Sequence, residues 1–310
     1  MMQKPKIVVV GSFFMDLVFK VNRRPNKGET LIGDEFGMFT GGKGYNQAIA
    51  AARIGASVTM VGLLGKDPFG EAFLTSLDRE KIDRQYVQID DNAGTGVANP
   101  VIYESEHDNS IVIVPRANHK ITPAHIEKAA HAIQDANLLM LQLEIEIQAS
   151  LRAAQIARAA GVPVLLNPAP AQKIPDELIG LVDVLTPNEV EAGQLVGLKA
   201  GVEFNPASVS RSIAAMGPQK VVITQGEKGA YWYTPAGEGN VPPYKIKAVD
   251  PTAAGDAFCG AFAVAYAQDK SMPEAVRLGN AAGAMAATRL GAEPSLPTLN
   301  LLEEFLSSQG

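Results

Sequence analysis

A chain of 310 residues with 46% apolar residues, 29 glycines and 6% aromatic residues can bury a large core and has the composition of a tightly packed α/β protein. A formal net charge of −6 with no basic run argues against nucleic acid as the principal partner, and no uninterrupted apolar stretch is long enough for a membrane partner to be expected. The single cysteine, Cys259, excludes an intrachain disulfide framework and disfavours structural zinc; with no secretory signal in MMQKPKIVVVG, a cytoplasmic location is expected.

KIVVVG at 6–11 is a short apolar run closed by glycine, the pattern of a buried strand in a mostly parallel sheet. Its end delivers Asp16 to the rim where open α/β sheets hold ligands. Between about 16 and 38, Pro25, Gly28 and Gly33 break the chain into short alternating pieces, which predicts an antiparallel excursion. The glycine-rich run Thr40-Gly41-Gly42-Lys43-Gly44-Tyr45-Asn46-Gln47 leads into AIAAARIGA, a predicted helix from Asn46 onward. SVTMVGLLG is the next strand, and Asp67-Pro68 opens a helix to about Glu80. GVANPVIYESEHDNSIVIVP alternates around a polar turn at His107, Asp108 and Asn109. It joins the earlier excursion as a lid of about 16–38 and 96–114, with Pro100 predicting an edge strand.

The remainder alternates helices near 122–135, 148–160 and 206–216 with the strands LLMLQLE, VPVLLNPAP, VDVLTPNE and KVVITQGEKGAYWY. This predicts one α/β domain over 1–310, a doubly wound, mostly parallel sheet with helices on both faces and a small antiparallel β lid. Glu144, Asn167, Asn188 and the glycines of TQGEKG follow strand-like runs and are expected on the same rim as Asp16. The tail from Ala281 supplies two helices around a turn at Gly291–Ser295.

Asp250-Pro251-Thr252-Ala253-Ala254-Gly255-Asp256 runs into the small, apolar AFCGAFAVAYA, where a loop becomes a buried helix. The first N–H groups of a helix lack intrahelical partners and favour negative charge. A carboxylate beside such an anion site fits a base that takes a proton from an alcohol while the N–H groups hold phosphoryl oxygens, which points to phosphoryl transfer. Cys259, in the same apolar helix, reads as a packing residue.

GGKGYNQAIAAARIG and DPTAAGDAF, in this order and with TPNEVE and TQGEKG between them, resemble the signatures of the ribokinase-like family of carbohydrate and nucleoside kinases, with ribokinases the nearest within it. The resemblance covers essentially the whole chain. It implies ATP-dependent phosphorylation of the terminal hydroxymethyl of a small sugar, with Asp256 as catalytic base and Ala253, Ala254 and Gly255 as the anion hole. It also implies sugar binding by Asp16, Gly42, Lys43, Asn46 and Glu144, and nucleotide binding by Asn188, Thr224, Gly226, Gly229, Gly255 and Asn280. Glu191 is implied to organise magnesium through water. Asp250, Thr252, Ala286, Arg289, Gly291 and Ser295 are implied to surround a monovalent cation, usually potassium. A homodimer formed through the lids, and a lid that closes on substrate, are further implications.

Four positions depart from the ribokinase pattern. Phe14 stands where asparagine is usual, two residues before Asp16; Tyr45 stands where alanine is common; Arg116 replaces a usual glycine; and Asn99-Pro100 interrupts the lid strand. These changes are expected to cluster around the acceptor, with Phe14 among the substrate-contacting residues. Ribose is the first acceptor on this reading, with a nucleoside (adenosine, inosine, guanosine or cytidine) or another sugar such as fructose as alternatives. A catalytically silent binding protein and a nucleotide-binding oxidoreductase are weaker readings, the latter because the chain lacks a G-x-G-x-x-G loop after a strand.

Overall fold

The computed structural model describes residues 4–106, 108–199 and 202–309. Its strands are β1 (Lys6–Val10), β2 (Phe14–Val21), β3 (Glu35–Gly41), β4 (Ser57–Gly65), β5 (Asp83–Asp90), β6 (Gly96–Tyr103), β7 (Asp108–Val114), β8 (Leu138–Leu141), β9 (Val164–Leu166), β10 (Val184–Leu185), β11 (Lys220–Thr224), β12 (Ala230–Thr234) and β13 (Gly237–Val241). Nine of them form one sheet in the order β13-β12-β11-β10-β9-β8-β1-β4-β5. From β5 to β11 every pairing is parallel, and β12 and β13 extend the far edge antiparallel.

Helices cover both faces because the central strands are apolar on both. In β1, Ile7 and Val9 join one buried cluster while Val8 and Val10 join the other, as expected of a doubly covered parallel sheet. Strand order reverses on either side of β1, so the loops after β1 and β8 part company and open a crevice at the carboxyl edge. Among the described residues no helix is long and apolar enough to cross a membrane.

The lid is the second sheet, ordered β3-β2-β6-β7. Its outer pairs are antiparallel, but the central pair β2–β6 is parallel, so the lid is mixed rather than wholly antiparallel. Pro100 consequently lies in a central strand, not the edge strand expected. The β2–β6 register skips from Asp16↔Ala98 to Phe19↔Val101, and Asn99 Nδ2 reaches across to Leu17 O at 2.8 Å. A side-chain amide thus satisfies a carbonyl where the ladder lapses beside a residue that has no N–H. The hairpin turn is also earlier than expected: Glu104–Glu106 form a short 3-10 turn, Asp108 and Asn109 already pair with Tyr103 and Ile102, and His107 lies outside the described residues.

The helix expected from Asn46 starts at Lys43 and runs to Arg53. Gly42, at φ 97°, turns the chain into it, and other elements cap its free N–H groups. Lys43 N donates to Glu144 Oε2 at 2.8 Å, Gly44 N to Ser12 Oγ at 3.3 Å and Tyr45 N to Ser12 O at 3.0 Å, which meets the need of an uncapped helix start.

Two of the departures from the ribokinase pattern do not face the acceptor. Tyr45 is fully buried, its ring against Phe13 and Phe73 and its hydroxyl 2.7 Å from Glu293 Oε2 and 2.5 Å from Ser76 Oγ. Glu293 also takes Thr40, Arg53 and Arg79, so this cluster ties β3 to the turn at 292–295. Arg116 donates to Thr95 O at 3.0 Å and approaches Asp67, bracing the foot of the lid. Tyr45→Phe keeps the ring and removes one hydrogen bond to a buried carboxylate. We expect it to lower unfolding free energy by about 1.5–3 kcal/mol, read as a lower urea midpoint at unchanged m-value.

Candidate active site

A cleft of about 870 Å³ lies between the lid and the carboxyl edge of the large sheet, and a smaller cavity of about 210 Å³ adjoins it. The cleft is lined by Phe14, Asp16, Gly42, Lys43, Asn46 and Glu144, and by Asp250, Thr252 and Gly291. The cavity is lined by Asn188, Glu191, Thr224 and Gly255 together with Asn167, Thr186 and Cys259. Lys43, Pro251, Ala253 and Asp256 line both. Asp256 therefore stands at the junction of two adjoining sites.

The geometry at that junction follows from two helix starts. The helix Ala254–Ala267 is preceded by Ala253 in the left-handed region at φ 59°, and Ala254 N is spent on Pro251 O. Among the described residues, the N–H groups of Gly255 and Asp256 make no hydrogen bond. A Cβ built on Gly255 meets nothing within 4 Å. Two unpaired donors and open space above them make a cradle for an anion, and any side chain at 255 would project into it.

The Asp256 carboxylate is 6% exposed and accepts from Asn46 Nδ2 at 3.0 Å and Gln47 Nε2 at 3.0 Å. Gln47 in turn bonds Asn167 Oδ1 at 3.1 Å, and its Oε1 accepts from Gln142 Nε2 at 2.7 Å. The Gln142 bond fixes which way the Gln47 amide faces and presents its NH₂ to the carboxylate. Asn46 Oδ1 is buried without a partner, leaving one acceptor for a hydroxyl. Gln47 and Gln142 carry no role in the sequence reading; the available signal was a glutamine inside the apolar strand LLMLQLE.

Burial raises the Asp256 carboxyl above the ordinary carboxylate range, while Lys43, Asn46 and Gln47 oppose that rise. Glu144 and Glu191 are likewise raised, chiefly by burial. Asp16 is pushed up to about 7 by burial and then by the charges of Glu144 and Asp256. Burial pulls the Lys43 ammonium down, but Asp256, Glu144 and Glu191 outweigh it and hold it above the usual lysine value. One cation is thus shared among several desolvated carboxylates. Burial also pushes the Cys259 thiol up to about 12, which removes it as a nucleophile and agrees with its reading as a packing residue.

Ser12 Oγ donates to Glu144 Oε2 at 2.5 Å, joining the ends of β1 and β8 at the crevice. Asn188 and Glu191 form a reciprocal helix cap, with Asn188 N on Glu191 Oε2 and Glu191 N on Asn188 Oδ1, both 2.8 Å. Among the described residues, nothing bonds Glu191 Oε1. Thr224 is held beside Asn188 by a parallel bridge. The remaining positions expected at the nucleotide do not line the smaller cavity. Gly226 and Gly229 turn the chain at φ 54° and 87°, and Asn280 Nδ2 donates to Val241 O and Pro242 O, both at 3.1 Å, pinning the strand end beyond.

Of the six positions expected around a monovalent cation, Asp250, Thr252 and Gly291 line the cleft, while Ala286, Arg289 and Ser295 do not. Asp250 joins the two loops, accepting from Thr252 N and Gly291 N, each at 2.9 Å. Arg289 N closes on Ala286 O and Ser295 Oγ on Ala292 O.

Residues 4–299 match the pfkB family carbohydrate kinase profile. The chain is 38% identical over 301 residues to ribokinase of Bacillus subtilis (strain 168), covering 97% of this chain and 99% of that one. It is 35% identical over 302 residues to deoxyribokinase of Salmonella typhi, covering 97% and 98%. The solved structure of Arabidopsis thaliana ribokinase complexed with ribose and ATP superposes with a TM-score of 0.90 at 32% identity, over 98% of this chain and 99% of that one. With two adjoining sites meeting at one buried carboxylate, and with similarity along nearly the whole chain, this protein belongs to the pfkB family of carbohydrate kinases.

Proposed function

We propose that this kinase transfers the terminal phosphoryl group of ATP to the hydroxymethyl of a pentose such as ribose, bound in the larger cleft. The observation that carries this reading is Asp256, set where the two sites meet and beside the unpaired N–H groups that open its helix. An alcohol is a poor nucleophile and the phosphoryl group is already anionic, so the protein must align them and neutralise oxygen charge. Asp256 takes the hydroxyl proton, and Gly255 N and Asp256 N face the phosphoryl oxygens. Lys43, lining both sites, lies within reach of sugar and phosphate alike. Asp16, Asn46 and Glu144 hold the sugar, and Asn188 and Thr224 lie on the nucleotide side.

The residues present suit magnesium. Glu191 keeps Oε1 available at the rim of the smaller cavity, the arrangement expected of a carboxylate that orders water around a hard cation. When bound, the ion supplies positive charge to the phosphate oxygens. A potassium ion fits the loops that Asp250 ties together, where backbone and hydroxyl oxygens of Thr252, Gly291 and their neighbours are at hand. The single, buried cysteine suits the reducing cytoplasm.

Ribokinase and deoxyribokinase relatives match at nearly equal identity, which supports a pentose. The nucleoside alternative rested on an aromatic wall for base stacking. Phe14 is 2% exposed, too buried for a base to stack on, and Tyr45 lies in the core. We also infer a homodimer through the lid. Ile111, Val112, Ile113 and Val114 are 44–63% exposed on β7, an edge strand of the lid, a combination that proteins seldom leave uncovered.

Asp256→Asn is expected to fold normally and to lower kcat by roughly 10²–10⁴; coupled measurement of sugar-dependent ADP release tests it, and turnover at the original rate would defeat the proposal. Ionised Asp16 accepts hydrogen bonds from sugar hydroxyls, so ribose should bind more tightly as pH rises from 6 to 8, through the Asp16 value near 7. Titration calorimetry across that range should show the trend, and Asp16→Asn should flatten it. Sedimentation velocity should find a dimer, and the pair Ile111→Asp with Val112→Asp a folded monomer; a monomeric unmodified protein at all accessible concentrations rejects the lid interface.

A further inference from the structure

We infer that Phe14 makes this kinase a deoxypentose kinase, favouring a pentose that carries hydrogen in place of one ribose hydroxyl. The inference rests on the proposed pentose-phosphorylating activity and narrows its acceptor. Along β2 the side chains alternate: Met15 and Leu17 pack with the core cluster, whereas Phe14, Asp16, Val18 and Lys20 line the cleft. Phe14 and Asp16 therefore point the same way, about 6–7 Å apart along the strand, a spacing that spans a pentose ring. Phe14 belongs to neither buried apolar cluster, unlike Phe13 beside it, and although buried it lines the cleft. The same cleft presents the polar side chains of Asp16, Lys43, Asn46, Glu144 and Asp256.

A ring at that place has two consequences. A hydroxyl directed at it loses its water and gains no partner, whereas a C–H group there is simply buried. The penalty falls on ribose and spares the deoxy sugar. A site that pairs a hydroxyl rejects the analogue lacking it; with Phe14 in place of a pairing side chain, that rejection is absent. Phe14 is only 2% exposed, so the surface it offers suits one C–H unit and not a larger apolar group.

The test compares kcat/KM for 2-deoxy-D-ribose and D-ribose in the purified full chain, and in Phe14→Asn and Phe14→Met, with Tm reported for each. Expected are a kcat/KM for the deoxy sugar at least equal to that for ribose, a shift of about ten-fold toward ribose in Phe14→Asn, and no change of preference in Phe14→Met. Preference of the unmodified protein for ribose by ten-fold or more overturns the inference, as does a folded Phe14→Asn whose ratio stays put. Should Phe14→Asn not fold, the ratio in the unmodified protein decides alone. Turnover of neither pentose, with another alcohol phosphorylated, overturns the pentose reading and this inference with it; turnover of both with ribose strongly favoured overturns only the latter.

Discussion

The site depends on two helices that start at the same place. Asn46 touches Asp256, and four residues on, Ala50 lies under Gly260, where a Cβ would come within 2.5 Å. The equal offset means that helices 43–53 and 254–267 run side by side in the same direction. Such close approach needs alanine and glycine at the seam, which is what AIAAAR and AFCGAFA provide. Parallel packing brings two positive helix ends to one point. Their combined field offsets part of the cost of burying Asp256 and Glu144 there, and it is the field an incoming phosphoryl group meets.

Much of this was legible in the sequence because strand ends and glycine turns are local signals. Apolar runs ended by Gly11, Glu144 or Asn188 told where the rim would be, and GGKG and AAGD told where backbone lies open to a ligand. Gly41 and Gly42 show the physical cause: a Cβ at 41 would meet the Asp16 carboxylate at 2.5 Å, and one at 42 the Phe14 N at 2.8 Å. The failures share a different cause. Tyr45 adjoins Asn46 in sequence, yet successive residues on a helix are turned by about 100°, so one meets the sugar cleft and the other the core. Pro100 lacks an N–H, a local property, whereas the compensating Asn99 contact spans two strands that sequence distance hides.

Gln47 and Gln142 show a further limit. Neither residue is unusual where it stands, and their meaning lies in the direction of an amide that only the packed structure settles. Gln142 has room because Gly11 lacks a side chain: a Cβ there would sit 2.3 Å from Gln142 Oε1. A glycine at the end of β1, read as a strand terminator, thus also leaves space for the chain of amides behind the base. Sequence motifs record the residues that touch ligands; the supports behind them are ordinary polar residues whose partners come from distant elements.

The same packing makes the site an uneasy environment for charge. Glu144, Glu191 and Asp256 share Lys43 while Asp16 feels the charges of Glu144 and Asp256, and each carboxyl is raised above its usual range, burial being the largest cause in every case. Hydrogen bonds from Ser12, Asn46, Gln47 and the Lys43 and Asn188 N–H groups hold Glu144, Asp256 and Glu191 in place without neutralising them. A site so arranged has its dipoles fixed before any ligand arrives and lacks positive charge rather than order. Phosphate alone would worsen that deficit, whereas a metal-bound nucleotide relieves it. This acidic crowding therefore favours a nucleotide that arrives with its cation. The lid is anchored where Asn118 clamps both the N–H and the carbonyl of Phe13.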